Sequence, residues 1–175
     1  MLNKNNVRLE YIGRRHELPA DVNERMEWAR SETSKNTGLV LTLALNYSAR
    51  SEIVDAFRSM ADAAARNGGL SHLHVDEEAV AQHLYTRHLP DPDLLIRTSG
   101  EMRLSNFLLW QCAYADIYVT STLWPDFGGA QLLEAIAEYQ KRERRYGGLK
   151  DELNEDRPAE SSPESEAGSR KAGRY

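Results

Sequence analysis

Cysteine is nearly missing from this chain. Its one thiol, Cys112, excludes an internal disulfide framework and any zinc site built on several thiolates. A basic excess is missing as well. Lys and Arg number 22 against 27 Asp and Glu, a formal net charge of −5, which disfavours a nucleic-acid binder working through bulk electrostatics. No apolar run reaches the length of a bilayer span, and the longest, 38–45, is interrupted by Thr42. The first ten residues, MLNKNNVRLE, hold no apolar stretch after their first charge, so no secretory signal is expected. No internal repeat is found. These absences leave a cytoplasmic, reducing-compartment domain as the expectation, and apolar residues at 41% of 175 suffice for one core.

The composition changes near the end. Residues 151–175, DELNEDRPAESSPESEAGSRKAGRY, carry one Leu, one Tyr and no other large apolar side chain. Such a segment buries too little apolar surface to offset its ordering entropy, so a disordered polar tail is expected over 151–175 and a folded domain over 1–150.

The folded part alternates between two periodicities. VRLEYIG (7–13) reads as a strand closed by glycine. Pro19 opens a helical stretch with Val22, Met26 and Ala29 at helical spacing. LVLTLALNY (39–47) is a nearly continuous apolar run, the pattern of a strand buried on both faces. Ser51 is the expected cap of the next helix, with Ile53, Phe57, Met60, Ala61 and Ala64 as its stripe and Gly68-Gly69 as its stop. Asp76 caps a further helix, with Val80 and Leu84 inward. DLLIRTSG (93–100) and IYVTST (117–122) are further strands, separated by a short helix, NFLLWQCAYA, that Ser105 would cap. A last helix, AQLLEAIAEYQKRERRYGG, turns Leu132, Leu133, Ile136 and Tyr139 inward and stops at Gly147-Gly148. Strand–helix alternation of this kind implies an α/β fold with a largely parallel sheet flanked by helices.

In open α/β sheets ligands sit beyond the carboxyl ends of the strands. The segment after the third strand, Arg97 to Ser105, combines a Gly-containing turn, two arginines and a hydroxyl at a helix start. Guanidinium forks and free helix N–H groups both suit phosphate oxygens, so a di- or polyanionic ligand such as a diphosphate is expected there. The alternative is that Arg97 and Arg103 pair with carboxylates such as Glu101 and Asp91. Elsewhere the signals are weak. His72 and His74 lack further ligands at metal spacing, Trp110, Phe107 and Leu108 read as core, and Cys112 reads as a buried, inert thiol. Asp116, between a helix and a strand, is by its surroundings a cap or a surface charge.

The string DLLIRTSGEMRLSNFLLWQCAYADIYVTSTLWPDF (93–127), followed by YQKRERRYGG, resembles the C-terminal signature of the cis-prenyltransferases, the family of undecaprenyl diphosphate synthase. NYSARSEI (46–53) resembles another family segment, with Ser48-Ala49 where members usually carry two glycines. The resemblance runs from about Val7 to Gly148. It implies an enzyme that condenses isopentenyl diphosphate onto an allylic diphosphate, with magnesium, to make a polyprenyl diphosphate such as undecaprenyl diphosphate. It also implies a homodimer with a possible peripheral membrane association. By the same resemblance Arg97, Arg103 and Ser105 hold the isopentenyl diphosphate head group, Leu104 contributes its backbone, and Asp116 falls where the family has a metal-binding glutamate. A strand position for Asp116 would place it away from the carboxyl-end rim. The family's opening strand and its Asp-Gly-Asn-Gly-Arg-like loop with the catalytic aspartate have no counterpart here. The expectation is therefore a C-terminal portion of such an enzyme: a truncated product, a misplaced start or a fragment. It keeps the isopentenyl diphosphate half of the site and is either crippled as an enzyme, a non-catalytic partner subunit, or an inactive chain that still binds diphosphate.

Overall fold

The computed structural model describes residues 1–142. The chain divides into two units, Met1–Lys141 and Arg142–Tyr175, and every described element lies in the first. The expected polar tail over 151–175 and the glycine stop at Gly147-Gly148 lie outside the described residues.

Eight principal elements alternate as the periodicities require. They are β1 (Arg8–Ile12), α1 (Ala20–Thr33), β2 (Val40–Ala44), α2 (Ala49–Arg66), α3 (Glu77–Ala81), β3 (Leu94–Arg97), β4 (Asp116–Val119) and α4 (Gly129–Gln140). Both strand pairings are parallel. β1 lies on β2 from Arg8↔Val40 to Ile12↔Ala44, and β3 lies on β4 from Leu94↔Asp116 to Arg97↔Val119. The α/β architecture with parallel strands flanked by helices holds. Among the described residues the strands form two separate hydrogen-bonded pairs.

The core gathers where these elements meet. Leu9, Tyr11 and Ile12 of β1 are buried, as are Ala49, Ala56, Met60 and Ala64 along one side of α2, together with Leu84 and Cys112. Thr33 fastens the end of α1 to β1: its buried hydroxyl donates to the Ala29 carbonyl at 2.9 Å and accepts from the Leu9 N–H at 3.0 Å. Gly13 (φ 116°) closes β1 in the left-handed region, and a side chain there would run into the Leu45 carbonyl.

Four local expectations are corrected. The cap of α2 is Ser48, not Ser51, because Ser48 Oγ accepts from the Ser51 N–H at 3.3 Å. β2 is not buried on both faces; Leu41 is 38% exposed and every position is at most half-buried, with exposed residues on either side of the strand at Leu41 and Ala44. α4 turns Ala135 inward, with Tyr139 half-buried one turn on, and leaves Leu132, Leu133 and Ile136 exposed, because its covered side is the one at the spacing of Gln131, Ala135 and Tyr139. The segment 106–115 is not a helix capped by Ser105. It runs through turns into a single 3-10 turn at Gln111–Tyr114, and Ser105 (φ 50°), Asn106 (φ 61°) and Leu108 (φ 45°) are all left-handed. The α3 cap is as read: Asp76 Oδ1 accepts from the Ala79 N–H at 2.7 Å.

Candidate functional site

Three strand ends supply arginines or polar turns, and the structure assigns them different work. After β1, Arg14 is committed to Asp55 of α2 through Nε (2.9 Å) and Nη2 (3.1 Å). That pair holds the Asp55 carboxyl below the usual range. Arg15 lies over the Tyr11 ring, 4.5 Å from its centroid, and bonds Glu27 at 2.8 Å. After β2, Asn46 Nδ2 donates to Glu17 Oε2 at 2.8 Å, which ties this turn to the one after β1. These charges are absorbed by the fold.

The turn after β3 is different. Arg97, the last residue of β3, and Arg103 both bond the Glu101 carboxylate, Arg97 through Nη2 to Oε2 and Arg103 through Nη2 to Oε1 at 2.6 Å. One carboxylate thus draws two guanidinium groups together, and hydrogen bonding from Arg97, then the Arg103 charge, holds its pKa below the ordinary range. Arg97 Nε is buried and lacks a hydrogen-bond partner among the described residues. Pairing with Glu101, the alternative to an anion site, therefore occurs, and it leaves the three groups with one net positive charge.

The arginines stand beside a cleft of about 260 Å³ lined by Leu95, Ile117 and Val119 of the β3–β4 pair and by Met102 and Leu104 of the turn. Leu95 and Arg97 alternate onto one side of their strand, as do Ile117 and Val119 on theirs. A polar, cationic end thus adjoins an apolar wall. This suits an amphiphile with an anionic head and a short hydrocarbon body.

Arg97, Arg103 and Leu104 line this cleft together. Ser105 is exposed and is not among the lining residues. Asp116 opens β4 opposite Leu94, while Arg97 lies opposite Val119. Because the pairing is parallel, Asp116 sits at the other end of the strand, about 10 Å of strand rise away from the arginine end. Among the described residues no group of three or more His, Cys, Asp or Glu side chains is placed to hold a metal ion. His74 is taken by Asp76 at 2.7 Å. Cys112 is buried, and burial pushes its thiol pKa up, as an inert thiol requires.

Sequence reading missed the part played by Asn106. Its side chain and carbonyl meet the first turn of α2, with Nδ2 donating to Ser48 Oγ at 2.8 Å and Oδ1 accepting from the Arg50 N–H at 3.0 Å. The available signal was the Ser-Asn pair itself, since asparagine tolerates left-handed backbone and bonds nearby main chain.

A family model described as "Putative undecaprenyl diphosphate synthase" matches residues 1–147. An isoprenyl transferase of Heliobacterium mobile is 52% identical over 149 residues, which cover 85% of this chain and 57% of that protein. One of Geobacter sulfurreducens is 50% identical, with 87% and 62% covered. Among solved structures, lavandulyl diphosphate synthase from Lavandula x intermedia, in complex with dimethylallyl diphosphate, superposes with a TM-score of 0.76 at 39% identity, covering 81% of this chain and 61% of that one. The chain thus spans about three fifths of the length of these relatives.

Proposed function

This chain belongs to the undecaprenyl diphosphate synthase family of prenyltransferases, and from that membership we propose that it serves the condensation of isopentenyl diphosphate with an allylic diphosphate. One observation carries the reading: two arginines share a carboxylate at the edge of an apolar cleft. The diphosphate of isopentenyl diphosphate replaces Glu101 on the forks of Arg97 and Arg103, which present N–H groups at phosphate geometry. The Leu104 backbone adds to the head-group contacts, and the Ser105 hydroxyl reaches them only by turning in from its exposed place beside the cleft. The five-carbon body lies against Leu95, Ile117 and Val119, which exclude water and point the double bond away from the charged end. The homologous structure with dimethylallyl diphosphate supports an allylic diphosphate as the second substrate.

Magnesium is usually held by one or two carboxylates together with substrate phosphates. The carboxylate at the arginine end is Glu101, already held by both guanidinium groups, and Asp116 lies at the far end of β4. The described residues do not fit an ion shared between Asp116 and a diphosphate on Arg97, so the binding step rests on the arginines. A homodimer belongs to the same proposal, supported by the exposed Leu132, Leu133 and Ile136 of α4. A peripheral place at a membrane fits an apolar product, and no described helix is long and apolar enough to cross a bilayer.

Calorimetric titration of isopentenyl diphosphate tests the site. Arg97→Ala or Arg103→Ala should weaken binding roughly tenfold or more, the effect of losing charged hydrogen bonds. Equal affinity in the wild type and both variants removes the site. Incorporation of labelled isopentenyl diphosphate onto farnesyl diphosphate, with magnesium, then separates a working enzyme from a diphosphate-binding partner subunit.

A further inference from the structure

We infer that Asn106, acting through Ser48, is a positioning residue that holds the loop from Arg97 to Ser105 in its binding shape. The inference rests on the reading of Arg97 and Arg103 as diphosphate ligands.

The first turn of a helix has N–H groups without intrahelical acceptors. In α2 those of Ala49, Arg50 and Ser51 are all satisfied. Ala49 N–H donates to the Asn106 carbonyl at 2.9 Å, Arg50 N–H to Asn106 Oδ1 at 3.0 Å, and Ser51 N–H to Ser48 Oγ at 3.3 Å. Asn106 therefore supplies two of the three acceptors from more than fifty residues along the chain. Its own Nδ2 closes the set on Ser48 Oγ at 2.8 Å. This turn is a clamp, not an anion site, because two of its donors are spent on the loop and the third on Ser48.

The clamp explains the backbone around it. Ser105 (φ 50°), Asn106 (φ 61°) and Leu108 (φ 45°) occupy a region that is unfavourable for residues with a Cβ and least so for asparagine. Contacts at α2 hold them there. The loop is then fixed at one end by β3 at Arg97 and at the other by α2 through Asn106, with Arg103 and Ser105 between. The hydroxyl of Ser48, the N-cap of α2, is what Asn106 Nδ2 bonds.

Inorganic diphosphate titrated into the full chain tests this. Asn106→Gly removes the side chain while accepting the left-handed backbone without strain. It should weaken binding roughly tenfold, the effect of one or two lost hydrogen bonds. Ser48→Ala should weaken it about threefold, and the double variant should bind no worse than Asn106→Gly, because the two residues act as one unit. A purely structural role would lower the melting temperature without this coupling in affinity. No binding by the wild type, or equal binding by Arg97→Ala, overturns the diphosphate site and the clamp together. Weakening in Arg97→Ala with wild-type affinity in Asn106→Gly and Ser48→Ala overturns the clamp alone. So do losses that add independently in the double variant. Should Asn106→Gly fail to melt cooperatively, Ser48→Ala decides: wild-type affinity there defeats the clamp.

Discussion

Glu52 is 1% exposed, a carboxyl side chain set within the core. Its carboxylate accepts from the Tyr47 hydroxyl, from the Tyr85 N–H at 2.8 Å and from Gln111 Nε2 at 3.1 Å, so three separate segments converge on one side chain of α2. Burial, then the bond to Glu52, raises the Tyr47 pKa far above its ordinary value, so that hydroxyl stays a donor. Glu52→Ala should cost about 3 kcal/mol or more in urea unfolding, because several buried donors lose their acceptor together. Asp55, one turn further on, makes a pH-dependent contribution. Its folded pKa is depressed, chiefly by Arg14, so its stabilisation is complete above the unfolded value of about 3.9 and is lost as pH falls through the lower folded value. Asp55→Asn should lower stability by about 1–2 kcal/mol at neutral pH and flatten the acid limb of a stability–pH profile below about pH 4. Its partner Tyr85, half-buried and bonded to Asp55 at 2.6 Å, has its pKa pushed up to about 12 by desolvation and that bond, so its hydroxyl stays a donor. Composition gave the charges at these positions but not their partners, which come from other elements.

The helix α4 shows what periodicity can and cannot decide. Its apolar residues are spread over more than one side, and the covered side runs through Gln131, Ala135 and Tyr139 rather than through its leucines. Ala135 is wholly buried while Leu133 is 68% exposed. Ala135→Leu should therefore destabilise by about 1–3 kcal/mol through overpacking, and Leu133→Ser by about 0.5 kcal/mol or less, as thermal melts would compare. A reading by hydropathy alone predicts the reverse order. The strands were legible because short apolar runs closed by glycine or a polar turn leave few alternatives: β1, β2 and β3 fall inside the runs read from sequence, and β4 starts one residue before its run. The pairing of Arg97 and Arg103 was legible as chemistry, since two guanidinium groups six residues apart around a turn can meet one anion. The turn that carries them was not. A helix capped by Ser105 satisfies local rules, and only contacts with α2 from far along the chain select the left-handed path instead. The same distance hid Ser48 as the true cap, because its hydroxyl serves two partners and only one of them is local.

Over the whole molecule, large apolar side chains remain in contact with solvent: Trp28 and Leu39 near the β1–β2 pair, Phe57 on α2, Trp124 before α4, and Leu133 on it. The homodimer proposed above would place its contact on the exposed Leu133 and Ile136 of α4. Sedimentation should show association that rises with concentration, and Leu133→Glu combined with Ile136→Glu should reduce it without loss of the thermal transition. Persistence of association in that variant would move the contact away from α4. The single buried thiol makes the molecule its own stopwatch. Cys112 follows the left-handed run, and its N–H holds the Leu108 carbonyl at 2.8 Å, so a thiol reagent reaches it only when this stretch springs open. The rate of labelling then times that opening directly, and a molecule that grips a diphosphate at Arg97 and Arg103 should keep the reagent waiting longer.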